Sequence, residues 1–303
     1  MSGWINMDFE TEADCKMDVS IGTAIKEGAD NLRTSGVNEP RLEAALLLGH
    51  VLGCSRSFMI AHDDKILSPD QTQTFLALVA RRAAGEPLQY ITGHQEFFKL
   101  DFLVSPDVLI PRPETEMIVE AVLELFPSHA HFTFADVGTG SGCIAISILN
   151  ERLQARAKAI DESESALQVA QQNAARHQVI DRMRLVRANL FSAAPEDERF
   201  DLIVSNPPYV PDGELSGLQR EVQCEPRPAL AGGADGLDVI RRLLAEAPRH
   251  LSTGGHLIFE FGIDQDNKIA GLVLETVWEL VEIRRDLQQI PRMIILRKND
   301  RKD

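Results

Sequence analysis

A four-residue loop, Asn206-Pro207-Pro208-Tyr209, carries the most unusual chemistry of this sequence. It follows an apolar stretch, 200–205, that predicts a buried strand. The two prolines fix the backbone and lack N–H groups, so the loop presents carbonyl oxygens on a stiff rim. The side-chain oxygen of Asn206 and the backbone oxygen of Pro207 can each accept one N–H of a planar –NH2 group. Tyr209, one of two tyrosines in the chain, can pack against the plane of that group.

An amide or aryl amine nitrogen is a poor nucleophile because its lone pair is delocalised. Holding both of its hydrogens on acceptors fixes the nitrogen and polarises it toward an electrophile. If a sulfonium methyl group lies in line about 3 Å away, transfer follows from positioning and electrostatics. We therefore predict that Asn206, Pro207 and Tyr209 are catalytic, and that Pro208 completes the substrate-binding loop.

A glycine-rich turn, Gly138–Gly142, follows a second predicted strand at 132–137. Glycines let a ligand approach the backbone, and the following helix is expected to offer free N–H groups to an anion. Asp161 ends the next strand, where its carboxylate can accept from two ribose hydroxyls. The predicted contacts to a nucleoside-containing cofactor are Gly138, Thr139, Gly140, Ser141, Gly142 and Asp161.

The glycine turn alone does not identify that cofactor. Residues 140–145 also satisfy the dinucleotide pattern G-x-G-x-x-G/A. The turn by itself is equally compatible with S-adenosylmethionine and NAD, and a purely structural turn is a third alternative.

Strand-like stretches alternate with helical patterns from residue 132 onward. Predicted strands cover 132–137, 156–160, 183–187, 200–205, 255–261, 278–284 and 292–297, and predicted helices cover 142–151, 163–177, 236–251 and 264–276. This alternation is typical of an α/β fold with a doubly wound, mostly parallel sheet, here of seven strands. Because the carboxyl ends of such strands line the ligand crevice, both loops are expected to face one cleft.

The N-terminal part is predicted to be a small helical bundle, followed by a β-hairpin at 96–104. Ser68-Pro69-Asp70-Gln71 has the signature of a capping box with proline at the first helical position. Asn38 is expected to cap an earlier helix that has Pro40 in its first turn. The predicted domains are a disordered tail at 1–17, a helical substrate-recognition domain at 18–86, a hairpin and linker at 87–116, and the domain carrying both loops at 117–303.

The sequence has 31 Lys and Arg residues and 46 Asp and Glu residues, a net charge of -15 at pH 7. A phosphate backbone repels so acidic a chain, which counts against nucleic acid as a direct partner. No apolar stretch approaches the ~18 residues of a membrane span, and residues 1–17 lack a secretion signal. The four cysteines form no CxxC pair and indicate free thiols in a cytoplasmic protein: Cys15, Cys54, Cys143 and Cys224.

Two motifs taken together resemble a known superfamily. Asp136-x-Gly138-x-Gly140-x-Gly142 and Asn206-Pro207-Pro208-Tyr209 are similar to the motifs of class I S-adenosylmethionine-dependent amino-methyltransferases, which have a Rossmann-like fold. Within that superfamily, 87–93 (Pro-Leu-Gln-Tyr-Ile-Thr-Gly) and 109–116 (Leu-Ile-Pro-Arg-Pro-Glu-Thr-Glu) resemble the release factor glutamine methyltransferases, the HemK/PrmC family.

The resemblance implies S-adenosylmethionine as cofactor, S-adenosylhomocysteine as product, no metal, and a methyltransferase domain at 117–303. It implies that Asn206, Pro207 and Tyr209 hold the glutamine side-chain amide of the Gly-Gly-Gln loop of a peptide chain release factor, a translation termination protein. Gly138–Gly142 and Asp161 are then expected to hold the methionine and ribose parts of the cofactor. A cytoplasmic monomer is expected, with the release factor as its protein partner.

The adenine contact departs from the family pattern. Asn189 stands where the family usually has an acidic residue, and its amide oxygen can still accept from the adenine amino group. Leu190 is expected to pack on the adenine ring, and Asn206 is also expected to border the cofactor.

Two further segments lead to expectations about their position and their contacts. Gln-Gln-Ile-Pro-Arg at 288–292 replaces the family's usual Ala-Gly-x-Asp turn and is expected to lie away from the cleft. Arg112 and Glu114 are expected either to orient the incoming substrate loop or to pair with each other.

Other functions stay open at this point. A nucleic-acid adenine or cytosine amino-methyltransferase uses the same four-residue loop to hold a flipped base. A ribosomal-protein glutamine methyltransferase has a different sequence after the Pro-Arg of the 109–116 motif. An NAD-binding oxidoreductase or a catalytically silent adapter would account for the glycine turn but not for the loop at 206–209.

Overall fold

The computed structural model describes residues 18–299. The chain divides into two compact units, Met1–Ala84 and Gly85–Asp303. The tail predicted at 1–17 lies outside the described residues. Each unit has its own buried core, and each is described separately.

The first unit is a bundle of four helices: α1 Ile21–Thr34, α2 Pro40–Leu52, α3 Arg56–Ala61 and α4 Pro69–Ala83. Its largest fully buried side chains include Ile21, Leu32, Leu47, Leu48 and Phe75. A methyl group placed on Gly28 would lie 2.6 Å from Cζ of Phe75, so α1 and α4 pack closely there.

One of the two predicted helix caps of this bundle is confirmed and the other is wrong. The Gln71 backbone N–H donates to the Ser68 hydroxyl (3.2 Å), and the Gln71 side chain accepts from the Ser68 N–H (2.9 Å), which completes the capping box. The cap of α2 is Glu39 rather than Asn38, and it makes no side-chain cap hydrogen bond. Because Pro40 disfavours helical backbone in the residue before it, the helix begins at the proline itself.

The second unit begins with α5 Leu88–Thr92 and the predicted β-hairpin, which is confirmed as β1 His94–Phe97 and β2 Leu100–Leu103. The two strands are joined by Phe98 and Lys99, with φ of 49° and 63°. Two successive left-handed residues are the backbone of the two-residue turns that match the natural twist of a hairpin.

The predicted seven-stranded, mostly parallel sheet is confirmed. Its strands are β3 Thr133–Val137, β4 Arg156–Asp161, β5 Met183–Arg187, β6 Phe200–Ser205, β7 Leu251–Glu260, β8 Trp278–Arg285 and β9 Pro291–Lys298. They lie in the order β5-β4-β3-β6-β7-β9-β8, and β9 alone of these seven strands runs opposite to the others. The remaining helices are α6 Glu116–Leu125, α7 Cys143–Glu151, α8 Glu164–Arg176, α9 Arg227–Leu230, α10 Asp238–His250 and α11 Asp266–Ala270.

The sheet is buried on both faces. Along β3, Phe134 packs into one apolar core and the next residue, Ala135, into the other. Leu202 and Ile203 divide in the same way on β6. Since side chains alternate along a strand, this division means that helices cover both faces, as a doubly wound sheet requires.

The strand order reverses between β3 and β6, because β3 pairs with β4 on one side and β6 on the other. In open α/β sheets the ligand crevice lies at such a reversal, beyond the carboxyl ends of the strands. Within residues 18–299, every helix is too short or too polar to cross a membrane.

Candidate active site

The glycine turn and the Asn-Pro-Pro-Tyr loop start side by side. Val137 and Ser205, the last residues of β3 and β6, are paired in register. The Ser205 hydroxyl donates to the Val137 carbonyl oxygen (2.7 Å). A methyl group placed on Gly138 would lie 4.0 Å from the backbone oxygen of Asn206. The structure therefore brings the two predicted loops to the same edge of the sheet.

The glycine turn requires its glycines. Gly138, Gly140 and Gly142 have φ of 75°, 54° and 82°, a region that side chains with a Cβ rarely adopt. A methyl group on Gly142 would lie 2.9 Å from the side chain of Ile146, whereas one on Gly140 would meet nothing within 4 Å. Gly142 thus fits against α7, and Gly140 borders open space where a ligand can approach the backbone.

The turn uses its N–H groups internally. Those of Gly138 and Thr139 donate to Ile160 O (2.8 and 3.0 Å), that of Gly140 to Asp161 Oδ2 (2.9 Å), and that of Gly142 to Thr139 O (2.8 Å). In the first turn of α7, the Ala145 N–H donates to Asp136 Oδ2 (3.2 Å). The expectation that the start of α7 offers free N–H groups to an anion is therefore wrong at Ala145, and the turn's own N–H groups at 138–140 and 142 are also taken. A dinucleotide pyrophosphate binds to such donors, so the turn fits S-adenosylmethionine, which has no phosphate, better than NAD.

Asp136 stabilises the turn by accepting hydrogen bonds in the protein interior. It is fully buried, and its Oδ2 also accepts from the Thr139 hydroxyl (2.7 Å). Burial raises the pKa of Asp136 to about 7. Within residues 18–299, its second oxygen and the buried hydroxyl of Ser141 have no hydrogen-bond partner. Thr139 and Ser141, both predicted as cofactor contacts, therefore have their hydroxyls in the protein interior.

Asp161 and Asn189 keep acceptors available. Asp161 accepts from the N–H groups of Gly140 and Ser163, one on each oxygen (2.9 Å each), and burial raises its pKa. Each carboxylate oxygen retains a lone pair for a hydroxyl donor. The Asn189 side-chain NH2 donates to Glu162 (2.8 Å), which leaves its amide oxygen for an incoming donor. Leu190 is 8% exposed and packs in the core, so only an edge of it can contact a ring.

The Asn-Pro-Pro-Tyr loop is anchored by a buried hydrogen-bond chain. The Asn206 side-chain NH2 donates to the Thr115 hydroxyl (3.1 Å), and the Thr115 hydroxyl donates to Glu260 Oε2 (2.6 Å). The Tyr209 hydroxyl donates to the other Glu260 oxygen (3.0 Å). Among residues 18–299, neither Asn206 Oδ1 nor the Pro207 carbonyl oxygen accepts a hydrogen bond. Both acceptors proposed for an –NH2 group are thus free of protein donors, with Asn206 partly buried and Pro207 buried.

Thr115 and Glu260 were not among the predicted site residues. Thr115 ends a short 3-10 turn, Pro113–Thr115, and is 2% exposed, while Glu260 ends β7 and is 3% exposed. Burial raises the pKa of Glu260 and the charge of Glu114 adds to this, whereas the two hydroxyl donors and the charge of Arg292 lower it. Burial and the neighbouring Glu260 also raise the pKa of Tyr209 well above its ordinary value, so Tyr209 is a neutral donor.

Arg112 has a different partner from the one expected. It forms an ion pair with Glu225, whose other oxygen accepts from the Ile110 N–H (3.1 Å). The expected pairing of Arg112 with Glu114 is therefore wrong. Glu225 is 6% exposed, so this pair ties the segment before Thr115 to the segment before α9.

The segment at 288–292 is not wholly remote from the site. Asp286 accepts from the N–H groups of Gln288 (2.8 Å) and Ile290 (3.0 Å) and from the Arg292 side chain (3.0 Å). The Arg292 carbonyl oxygen accepts from the N–H of Phe261, the residue after Glu260 (2.8 Å). Arg292 thus lies beside the end of the strand that carries Glu260, and its charge lowers the pKa of both Glu260 and Tyr209.

Comparison with known proteins gives two family matches. The PrmC N-terminal domain matches residues 23–93, and the methyltransferase small domain matches residues 115–221. The release factor glutamine methyltransferase of Koribacter versatilis is 41% identical over 281 residues, which cover 92% of this chain and 99% of the relative. The chain belongs to the release factor glutamine methyltransferase family. The Nitratidesulfovibrio vulgaris enzyme of that name is 42% identical over 278 residues, covering 91% of this chain and 94% of the relative.

Solved structures confirm the fold of this release factor glutamine methyltransferase family member. A methyltransferase from Pyrococcus furiosus superposes with a TM-score of 0.50 at 20% identity, covering 73% of this chain and 97% of the other. The hMettl16 catalytic domain gives a TM-score of 0.52 at 16% identity, covering 75% and 83%. The predicted class I methyltransferase fold is confirmed, and S-adenosylmethionine is its cofactor. Residues 18–299 contain no cluster of three or more His, Cys, Asp or Glu side chains that could hold a metal ion.

In this methyltransferase, two glycines, Gly236 and Gly262, pack closely against Tyr209. Its carbonyl oxygen accepts from the Gln265 side chain (2.9 Å). A methyl group on Gly236 would lie 2.3 Å from that same oxygen, and one on Gly262 would lie 3.1 Å from the Tyr209 ring. The position of Tyr209 therefore depends on two segments that lie outside both loops.

Proposed function

We propose that the chain methylates the side-chain amide nitrogen of the glutamine in the Gly-Gly-Gln loop of a peptide chain release factor. The observation that carries this proposal is the pair of available acceptors, Asn206 Oδ1 and Pro207 O, beside the glycine turn. A primary amide has two N–H donors on one nitrogen, and the two acceptors match them.

The residues of the chain act by binding and orientation. Asn206 and Pro207 each accept one amide hydrogen, which fixes the nitrogen and moves electron density onto it. Tyr209, whose hydroxyl is bonded to Glu260, supplies a fixed aromatic surface against the amide plane. A strong base is not needed before attack, because the nitrogen can lose a proton to solvent once it has been methylated.

The residues beside that loop would hold the cofactor. Gly140 would give it room against the backbone, Asp161 would accept from the ribose hydroxyls, and the amide oxygen of Asn189 would accept from the adenine amino group. When bound, S-adenosylmethionine supplies a methyl group on a positively charged sulfur and becomes S-adenosylhomocysteine.

The test uses cofactor with a labelled methyl group, purified release factor, and peptide mapping by mass spectrometry. We expect label on the glutamine of the Gly-Gly-Gln loop, and none on a release factor in which that glutamine is replaced by alanine. Ribosomal protein and RNA serve as competing substrates in parallel reactions. Label on either of these, with none on the release factor, would overturn the proposal.

We further propose that the helical unit recognises the body of the release factor. A cleft that holds one side chain has too little surface to bind a whole protein tightly, so a second contact surface is required. In the helical unit, a cavity of about 420 Å³ lies along α2 and α3. Near it, Leu46 and Phe58 are partly exposed, and Ile60 is 70% exposed.

Ile60→Asp in the full chain tests this second proposal. We expect the KM for intact release factor to rise roughly tenfold, as for loss of an interface contact worth over 1 kcal/mol. The KM for a Gly-Gly-Gln peptide and the binding of S-adenosylhomocysteine should not change. Leu287→Asp is the matched control, because Leu287 is a fully exposed leucine of the second unit. Equal effects of the two substitutions would contradict the recognition role.

A further inference from the structure

The hydrogen-bond chain behind Asn206 has a direction. An ionised carboxylate has no proton, so both hydroxyls that contact Glu260 must donate to it. The single hydroxyl proton of Thr115 is therefore committed to Glu260 (2.6 Å). The Thr115 oxygen can then only accept, and the group that reaches it is the NH2 of Asn206 (3.1 Å).

We propose that Glu260, acting through Thr115, is a positioning residue that fixes the Asn206 amide with its oxygen facing the substrate. An Asn amide can rotate by half a turn with little change in shape, so packing alone does not choose between its oxygen and its NH2. The chain from Glu260 makes that choice. This inference rests on the proposed function, in which Asn206 Oδ1 must accept from the substrate amide.

If the hydrogen bonds of this chain run in the opposite direction, the site loses its acceptor for the substrate. A protonated Glu260 can donate to Thr115, whose hydroxyl then donates to Asn206 and requires the Asn206 oxygen to face inward. The Asn206 NH2 would then face the NH2 of the substrate, and two donors cannot bond to each other. Loss of the acceptor should therefore follow protonation of Glu260, even though Glu260 does not touch the substrate.

The groups around Glu260 set the pH at which this happens. Tyr209 and Thr115 donate to it, Glu114 precedes Thr115 in the same turn, and Arg292 lies on β9, the strand paired with β7. Burial and the charge of Glu114 raise the pKa of Glu260, while the two donors and Arg292 lower it. Since burial is the largest cause, the acid limb of kcat should lie at a higher pH than an ordinary glutamate would give.

A pair of substitutions at Thr115 separates positioning from structure. Thr115→Val keeps the buried volume but removes the hydroxyl, and we expect kcat to fall roughly tenfold, as for loss of one hydrogen bond that orients Asn206 without touching the substrate. Thr115→Ser keeps the hydroxyl and removes a buried methyl group, and kcat should stay within about twofold of the wild-type value while stability decreases. A merely structural role predicts the reverse order, with serine the more harmful substitution.

The pH profile is the second measurement. The wild-type acid limb assigned to Glu260 should be absent in Glu260→Gln and in Thr115→Val, because both interrupt the hydrogen-bond chain from Glu260 to Asn206. S-adenosylhomocysteine affinity should be unchanged in all three variants. If Thr115→Val retains the wild-type kcat and acid limb, or if Thr115→Ser loses activity as valine does, the proposal is wrong.

A third measurement does not depend on any substrate. The side-chain NH2 signals of Asn206, identified by their loss in Asn206→Ala, should shift in ¹⁵N NMR spectra as Glu260 titrates, and should not shift in Thr115→Val. If the Asn206 signals do not shift with pH in the wild type, the proposed positioning role of Glu260 is wrong. If these signals behave as expected but the release factor is not methylated, only the proposed function fails.

Discussion

The two loops of the candidate site leave adjacent strands at the same edge of one sheet, yet they are built in opposite ways. The turn after β3 has three glycines with positive φ, and it closes on itself by donating its N–H groups to Ile160, Asp161 and its own carbonyls. The loop after β6 has two prolines that cannot donate, and Asn206 Oδ1 and the Pro207 carbonyl oxygen accept from no protein donor among residues 18–299. One loop bends so that a ligand can approach its backbone, and the other stays stiff to hold a reacting group.

The comparison indicates how a methyltransferase can divide its work. In the proposed function, cofactor binding depends on the backbone shape of the turn, which the carboxylates of Asp136 and Asp161 maintain. Orientation of the nucleophile depends on the Asn206 side chain, whose partner Thr115 lies in a distant segment. Changes in the first loop should therefore appear as lost cofactor affinity, and changes in the second as lost turnover.

Asn206→Ala should give the largest effect. It removes one of the two acceptors for the amide hydrogens, and we expect turnover to fall about 10²-fold or more, as for deletion of one preorganised polar contact. The affinity for S-adenosylhomocysteine, measured by calorimetry, should change much less, because the glycine turn is untouched. Near-normal turnover would mean that Asn206 does not hold the substrate.

Gly140→Ala should give the converse result. The added methyl group meets no protein atom, but φ is 54°, so the backbone is strained by ~1–2 kcal/mol and the space for a ligand is reduced. We expect S-adenosylhomocysteine affinity to fall roughly tenfold, which corresponds to ~1.4 kcal/mol. Gly36→Ala is the matched control, since φ there is 82° and the site is also open. It should lower thermal stability similarly and leave cofactor affinity unchanged.

Asp136→Asn should change the pH dependence of stability. Burial raises the pKa of Asp136 from 3.8 to about 7, so the folded state binds more protons than the unfolded state between these values. Stability should therefore decrease as pH rises through this window, by at most ~1.4 kcal/mol per pH unit. Asparagine can still accept from Thr139 and Ala145 but does not titrate. Urea unfolding at pH 5, 6 and 7 should show a stability difference that grows in favour of the variant, and parallel curves would contradict the assignment.

Local signals predicted much of this fold. β6 was predicted at its observed bounds, because 200–205 is a compact apolar run followed directly by prolines. The helix predicted over 264–276 is only α11, since Gly271 follows its last residue, Ala270. β7 begins at Leu251 rather than at 255, because the strand continues through Gly254, which has φ of 71°, with a shift of register against β6. The predicted helix thus passes through a glycine at which the observed helix ends, and the predicted strand begins after a glycine through which β7 continues.

The partners of the site could not be predicted in the same way. Asn206 and Tyr209 are unusual in their local sequence, and their loop was recognised from it. Thr115 and Glu260 are 145 residues apart, and each is an ordinary residue in its own segment. Arg112 and Glu225 are 113 residues apart, and a nearer acidic residue, Glu114, was the obvious candidate. Contacts between segments so far apart in the chain depend on the tertiary fold, which local patterns do not specify.

The two glycines behind Tyr209 have a consequence for interpreting natural variants. Any side chain at Gly236 would occupy the place of the Tyr209 carbonyl oxygen, and one at Gly262 would press on its ring. Neither position lies in the glycine turn or in the Asn-Pro-Pro-Tyr loop, so a variant there would ordinarily be classed as a folding defect. We expect instead a folded protein that binds the cofactor but does not transfer the methyl group. A survey that measures only protein abundance would classify that variant as functional.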